Sequence, residues 1–394
     1  MHTTERLPAR VALLVAHCAG MIDLVALPVW VGTLMSGQGL DAPHAGGLAT
    51  LFLLGAVLTS LATARWWSHR SGPLLASIGY AVAAAAFLMA SRLPSFGELA
   101  LWHAVAGAGA ALGLSLTHGA IGRSAHPHRL FAWAGLALGL FATVFLGASP
   151  GLIAAHGPGT LFLLFAGVMG VAALACAVAF PAGAADAQHV PSHERAAFGA
   201  RAWTGAAGVA SMALVQAIVF SFMERIGAGH GLDTGAMSGV LIALGLINLV
   251  PAPLAAWLER RWRVRTVLMV GPVLQAALAF VLTNSPWVQG YVAAALSFSA
   301  VMIFTHTFAF GWLARLEPTG RLVAATPAML MTGSAIGPFL GGALVGGLGY
   351  GALGVAALVL GGLGAALFLH STGGARQSVA PVASSDTELH KVAA

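Results

Sequence analysis

Residues 11–34 read VALLVAHCAGMIDLVALPVWVGTL, a long apolar run with one charged side chain, Asp23. The start of the chain looks like a secretory signal, but this run is too long for a signal core and is interrupted by the acid. It reads as a first membrane span, because about 20 apolar residues cross a hydrocarbon core of about 30 Å. Further runs of the same kind fall at roughly 45–66, 73–91, 99–121, 130–152, 160–181, 203–224, 236–257, 266–283, 288–312, 323–348 and 351–370, which makes twelve. The rest of the composition agrees. Of 394 residues 58% are hydrophobic and only 8% charged, with a mean hydropathy of +0.87, whereas a soluble domain carries about 25% charged residues. A water-soluble enzyme, a nucleic-acid binder and a disordered chain are thereby excluded. Backbone groups in lipid must bond internally, and the runs lack the alternation of barrel strands, so each span is a helix. The fold class is an all-α membrane protein of twelve transmembrane helices.

Basic residues set the orientation. If both termini are cytoplasmic, 16 of the 18 Lys and Arg residues fall on that side and only Arg92 and Arg225 on the other. That bias predicts an even number of spans and cytoplasmic N- and C-termini in a cell inner membrane. The longest polar interruption, 182–201, divides the chain into six spans and six: an N-terminal bundle 1–181, a cytoplasmic linker 182–201 and a C-terminal bundle 202–370. Residues 371–394 lack apolar periodicity and read as a disordered cytoplasmic tail. Cys18 and Cys176 lie inside apolar runs and staple nothing.

The halves repeat. Gly37-Gln38-Gly39-Leu40-Asp41 before span 2 matches Gly229-His230-Gly231-Leu232-Asp233 before span 8 at an offset of 192. Trp67-Ser68-His69-Arg70 matches Trp257-Leu258-Glu259-Arg260 at 190, and Arg123-(five residues)-Arg129-Leu130 matches Arg315-(five residues)-Arg321-Leu322 at 192. Span n thus corresponds to span n+6 with the same orientation, giving two pseudo-symmetric six-helix bundles with a site between them near the midplane.

The loop after span 2, Arg65-Trp66-Trp67-Ser68-His69-Arg70-Ser71-Gly72-Pro73, and its copy around Glu259 and Arg260 are similar to the Gly-x-x-x-Asp-Arg-x-Gly-Arg-Arg loop of the major facilitator superfamily. The first copy keeps Arg70 and Gly72 but has Arg65 for the glycine and His69 for the aspartate; the second keeps acid and arginines. An acid and an arginine there can clamp neighbouring helix ends in one conformation. The same arginines also satisfy the positive-inside bias without any clamp. In span 4, Trp102-His103-Ala104-Val105-Ala106-Gly107-Ala108-Gly109 resembles the family's Arg-x-x-x-Gly-x-Gly with His103 for the arginine; Gly107 and Gly109 let a neighbouring helix approach closely. Span 11 carries Gly333-Ser334-Ala335-Ile336-Gly337-Pro338-Phe339-Leu340-Gly341-Gly342. That pattern marks antiporters in the family when it lies in span 5, so here Gly337 and Pro338 read as close packing plus a bend. The resemblance covers essentially the whole chain. It implies a transporter that rocks between two states around a cavity lined by spans 1, 4, 7 and 10.

Polar residues within spans are costly and form the candidate site. Asp23, the one acid near a midplane, reads either as a neutral structural carboxyl or as a group exchanging the coupling proton. His103 and His306, with Gln216 and Asn248, are candidate cavity residues, and Glu224 lies at the outer end of span 7. His17, Cys18 and Met21 share a helix face, as do Met302 and His306; a soft metal such as Cu(I) would accept them. No nucleotide-binding loop occurs, and the single lysine, Lys391, is in the tail. ATP-driven transport is thus not expected. No cofactor and no enzymatic activity are expected, and no resident metal, a membrane-embedded enzyme being the remote alternative. The cavity spans hold no buried Arg or Lys, so a strongly anionic substrate is disfavoured. The reading is proton-coupled efflux of a neutral or cationic, partly apolar compound by a monomer whose partners are substrate, protons and the lipid bilayer. Proton-coupled import of a small metabolite and soft-metal transport are the alternatives.

Overall fold

The computed structural model describes residues 6–66, 72–92, 95–181, 198–259, 261–317, 322 and 326–373. The linker at 182–197 and the tail from 374 onward lie outside the described residues, as do His69, Arg70 and Arg260. Among the described residues there is no strand, and twelve segments are long and apolar enough to cross a membrane. They coincide with the twelve runs read from the sequence. Span 1 begins as early as Leu7, and the continuous helix of span 7 stops at Phe220 rather than running on to 224.

Three spans are interrupted. Span 1 is two helices, Leu7–Gly20 and Ile22–Gln38, separated by Met21 at φ −102°, ψ 20°. Span 7, Ala200–Phe220, is followed by a short helix Met223–Gly229, and span 8 divides into Thr234–Ile247 and Pro251–Leu258. Pro251 explains the last break, since it cannot donate to the preceding turn. The span 1 break follows directly on Gly20, and the span 7 break contains neither glycine nor proline.

The repeated Gly-x-Gly-Leu-Asp segment is a helix stop followed by a helix start. Gly39 and Gly231 take left-handed backbone, φ +66° and +80°, which only glycine adopts at little cost. The aspartate two residues on then caps the next helix. Asp233 accepts from the Ala236 amide at 2.7 Å, and Asp41 from the His44 amide at 2.9 Å. The bonds from the His44 amide and ring hold the exposed Asp41 carboxyl below the usual carboxylate range. Span 4 starts on a reciprocal cap, with Glu98 accepting from the Ser95 amide at 2.9 Å.

Small residues set the packing. Gly107 lies so close to Phe52 of span 2 that a methyl there would overlap the Phe52 carbonyl, and Gly109 faces the Gly79 carbonyl of span 3. Span 11 carries two such stripes. Gly333, Gly337 and Gly341 press against span 7, from Ala210 through Ala217 to Phe222. One residue further on, Pro338, Gly342 and Gly346 meet Gly46, Ala42 and Pro43 of span 2, in the other half. The Phe339 amide donates to Thr50 Oγ1 across the same seam at 3.1 Å. On the pseudo-symmetric side, Gly139, Thr143 and Gly147 of span 5 meet Leu249, Gly245 and Ile242 of span 8. These approaches run from mid-bundle to the end opposite the termini. Further along span 2, Gly55 has turned to Ala104 of span 4, in its own half.

Two stability outcomes follow from this packing, both readable by thermal unfolding of purified protein. Replacing Asp233 by Ala removes the cap and should cost about 1 kcal/mol. Gly107→Ala should cost about 1–3 kcal/mol through overpacking, while Gly170→Ala, where a methyl meets nothing within 4 Å, should be neutral or gain up to about 1 kcal/mol. Equal effects at the two glycines would contradict the packing.

Candidate functional site

The interruption of span 1 sets the position of its acid. Asp23 falls in the first turn of Ile22–Gln38, where the unpaired amides of a helix start favour a negative charge. It is 6% exposed, and its Oδ1 is buried without a hydrogen-bond partner. Glu224 occupies the same kind of place, in the first turn of the short helix after span 7. Its Oε2 is likewise buried and unpartnered, and the carboxyl packs against Gly32 of span 1. This carboxyl therefore lies in the seam between the halves. Tyr291 of span 10 fixes the start of that short helix by donating to the Met223 carbonyl at 2.8 Å.

Asn248 stands at the third break, closing the first helix of span 8. Its Nδ2 donates to Ser299 Oγ of span 10 at 3.2 Å, while its Oδ1 is buried and unpartnered. His306 of span 10 is buried, with its Nε2 unpartnered. Four of the six candidates thus hold a buried polar atom with nothing to bond. Buried polar groups are rarely left so, and each of these four atoms calls for a partner such as a water or an ion.

The other two candidates are occupied. His103 is fully buried inside the N-terminal bundle, where its Nδ1 bonds the Leu99 carbonyl at 2.7 Å and its Nε2 accepts from Trp30 Nε1 at 3.2 Å. That arrangement is a neutral imidazole with both nitrogens used. Trp30 in turn sits among Phe52, Phe87 and Phe165, with ring centres 5.1, 6.0 and 4.8 Å away. Gln216 pairs with Gln275 of span 9, whose Nε2 lies 3.4 Å from its Oε1 and 3.2 Å from the Met212 carbonyl. No hydrogen bond joins any two of the six candidates. Gln275, itself buried with a free Oε1, belongs with the group; hydropathy treats it as one polar interruption among many.

His17 does not turn toward Cys18 and Met21. Its Nδ1 lies 2.9 Å from Nε2 of His118 in span 4, a partner 101 residues away that no local spacing could reveal. Cys18 instead lines an apolar cavity of about 520 Å³ between spans 1, 5 and 6. Among the described residues no three His, Cys, Asp or Glu side chains converge as metal ligands do.

Of the clamp residues, Glu259 is described. It forms an ion pair with Arg315 at 2.7 Å, both half-exposed. The pair ties the end of span 8 to the end of span 10, and Arg315 is the residue the internal repeat aligns with Arg123. Arg261 lies over the Trp257 ring, 4.4 Å from its centre.

Comparison with known proteins agrees with this architecture. No curated protein sequence matches the chain closely enough to count as a relative. Among solved structures, the D-xylose–proton symporter superposes with a TM-score of 0.68 at 14% identity, over 93% of this chain and 97% of that one. The nucleoside transporter NupG gives 0.66 at 13%, over 94% and 98%. A bacterial homolog of the human lysosomal transporter Spinster, inward-facing and occupied, gives 0.66 at 14%, over 92% and 96%. At such identities these likenesses carry the fold, whereas the sequence profile of the Major Facilitator Superfamily matches residues 12–317 directly. Twelve spans, two repeated halves and that match make the chain a member of the Major Facilitator Superfamily, a membrane transporter rather than an enzyme.

Proposed function

We propose that the protein moves a neutral or cationic, partly apolar small molecule across the cell inner membrane by proton-coupled alternating access, in the direction of export. The observation that carries the reading is the pair of buried carboxyls, Asp23 and Glu224, each in the first turn of a helix that restarts after a break and each with an unpartnered oxygen. A carboxyl kept from water is expensive to ionise, and rocking that admits water on one side lets it release the proton it took up on the other. Substrate and proton then compete for one cavity, which is what exchange requires. Arg225, next to Glu224 and with a buried Nε, offsets one of the two acids, so the remaining charge favours a neutral or cationic cargo over an anionic one.

The positive-inside bias puts both termini in the cytoplasm. With the termini on that side, the seam at the opposite end supports reading this as an inward-facing arrangement. Import of a small metabolite with protons is the second reading, favoured by the likeness to a D-xylose–proton symporter.

Proteoliposomes with an imposed pH gradient test the coupling, using ethidium as a cationic apolar probe and xylose and uridine as neutral polar ones. The expected result is ethidium transport against a proton gradient. Asp23→Asn should cut gradient-driven accumulation to below about a tenth while leaving exchange down a substrate gradient. Full pH-driven transport by Asp23→Asn would make the residue structural, and xylose or uridine moving with protons would establish import.

A further inference from the structure

The end of the C-terminal bundle where span 8 closes and span 9 begins holds a second cavity, of about 600 Å³, whose lining includes neither Asp23 nor Glu224. Its wall is cationic: Arg261, Arg263, Arg265 and Arg315 line it, against the single acid Glu259. Arg315 is spent on Glu259 at 2.7 Å and Arg261 lies over Trp257, which leaves Arg263 and Arg265 lining the space without an ion-pair partner among the described residues. The amides at the start of span 9 open on the same side, because Arg263 stands at the cap position with no side-chain acceptor. Trp257 and Trp262 beside it are more than half exposed, at 60% and 52%. Exposed tryptophans at the end of a span belong at the depth of lipid headgroups.

We infer that this cavity is a binding site for the phosphate of an anionic glycerophospholipid, with Arg263 and Arg265 as its principal ligands. Guanidinium forks match phosphate oxygens in pairs, and a helix start adds amide donors. Basic pockets between helix ends are where anionic headgroups are held, and the flanking indoles favour a ligand that arrives with acyl chains over a soluble anion. The head group would rest against the Glu259–Arg315 pair, so its binding would bear on the contact that ties span 8 to span 10.

The test uses the purified full chain, stripped of lipid in mild detergent, with thermal unfolding read against added phosphatidylglycerol, phosphatidylcholine or inorganic phosphate. Phosphatidylglycerol should raise the midpoint and phosphatidylcholine should not, as mass action requires of a ligand bound only by the folded state. The double substitution Arg263→Gln and Arg265→Gln should lose at least about half of that shift, and the corresponding Lys pair, which keeps the charge without the fork, should fall between that variant and the parent. Native mass spectrometry of the parent should show phosphatidylglycerol retained in preference to phosphatidylcholine, a readout independent of whether the variants fold. A full shift with inorganic phosphate alone would make this a soluble-anion site. An undiminished shift in the Gln pair, or no preferential retention, would leave these arginines with nothing beyond the positive-inside bias and overturn the assignment.

Discussion

Lipid cannot hydrogen-bond a peptide group, and the rest of this structure depends on that. It forces twelve helices from the apolar runs and makes every interruption expensive, since amides and carbonyls freed within the bundle must find partners there. The chain nevertheless breaks span 1 at Met21, span 7 at Ser221–Phe222 and span 8 at Asn248–Val250. Each break has an acid or an amide beside it: Asp23, Glu224 and Asn248. A helix that restarts inside the bundle offers unpaired amides with a positive local field, a setting in which a carboxyl can hold either charge state at moderate cost. Three of the six candidate residues thus stand at breaks in the backbone.

Close approach is the second constraint. Apolar helices gain nothing from water-driven association inside a bilayer, so contact comes from packing small residues. Span 11 shows what this permits: one glycine stripe grips span 7 in its own half, and a stripe one residue away meets span 2 across the seam. The first contact lies within one half, and the second joins the two halves that would part in the proposed rocking. Glycine and proline surfaces without side-chain interlocking suit such a seam, because separation breaks few directional bonds; the Phe339–Thr50 bond is one of them.

Much of this was legible in the sequence. Hydropathy located all twelve spans, and the repeated Gly-x-Gly-Leu-Asp segment is explained by two left-handed glycines and two capping aspartates, local features that local sequence encodes. The breaks at Met21 and Ser221–Phe222 were not legible, because Gly20 is one of many glycines within the spans, Ser and Phe carry no strong stop signal, and tertiary packing decides where the backbone yields. Partners far apart in the chain were hidden for the same reason. His103 looked like a substitute for a functional arginine, yet Trp30 and Leu99 take both its nitrogens. His17 looked like one face of a metal site and is bound to His118. Residue type and depth identified the polar short list, and only the fold shows which members have an atom left to offer.

The central claim is that the halves part at the span 2–span 11 seam when the buried carboxyls change charge. Spin labels at Leu40 and Leu348, one on each side of that seam, report it directly as a distance distribution in lipid nanodiscs at two pH values. The account predicts a short and a long population whose ratio moves with pH in the parent and no longer moves when Asp23→Asn and Glu224→Gln are combined. A single short distance at every pH, or a pH response that survives both substitutions, would contradict it.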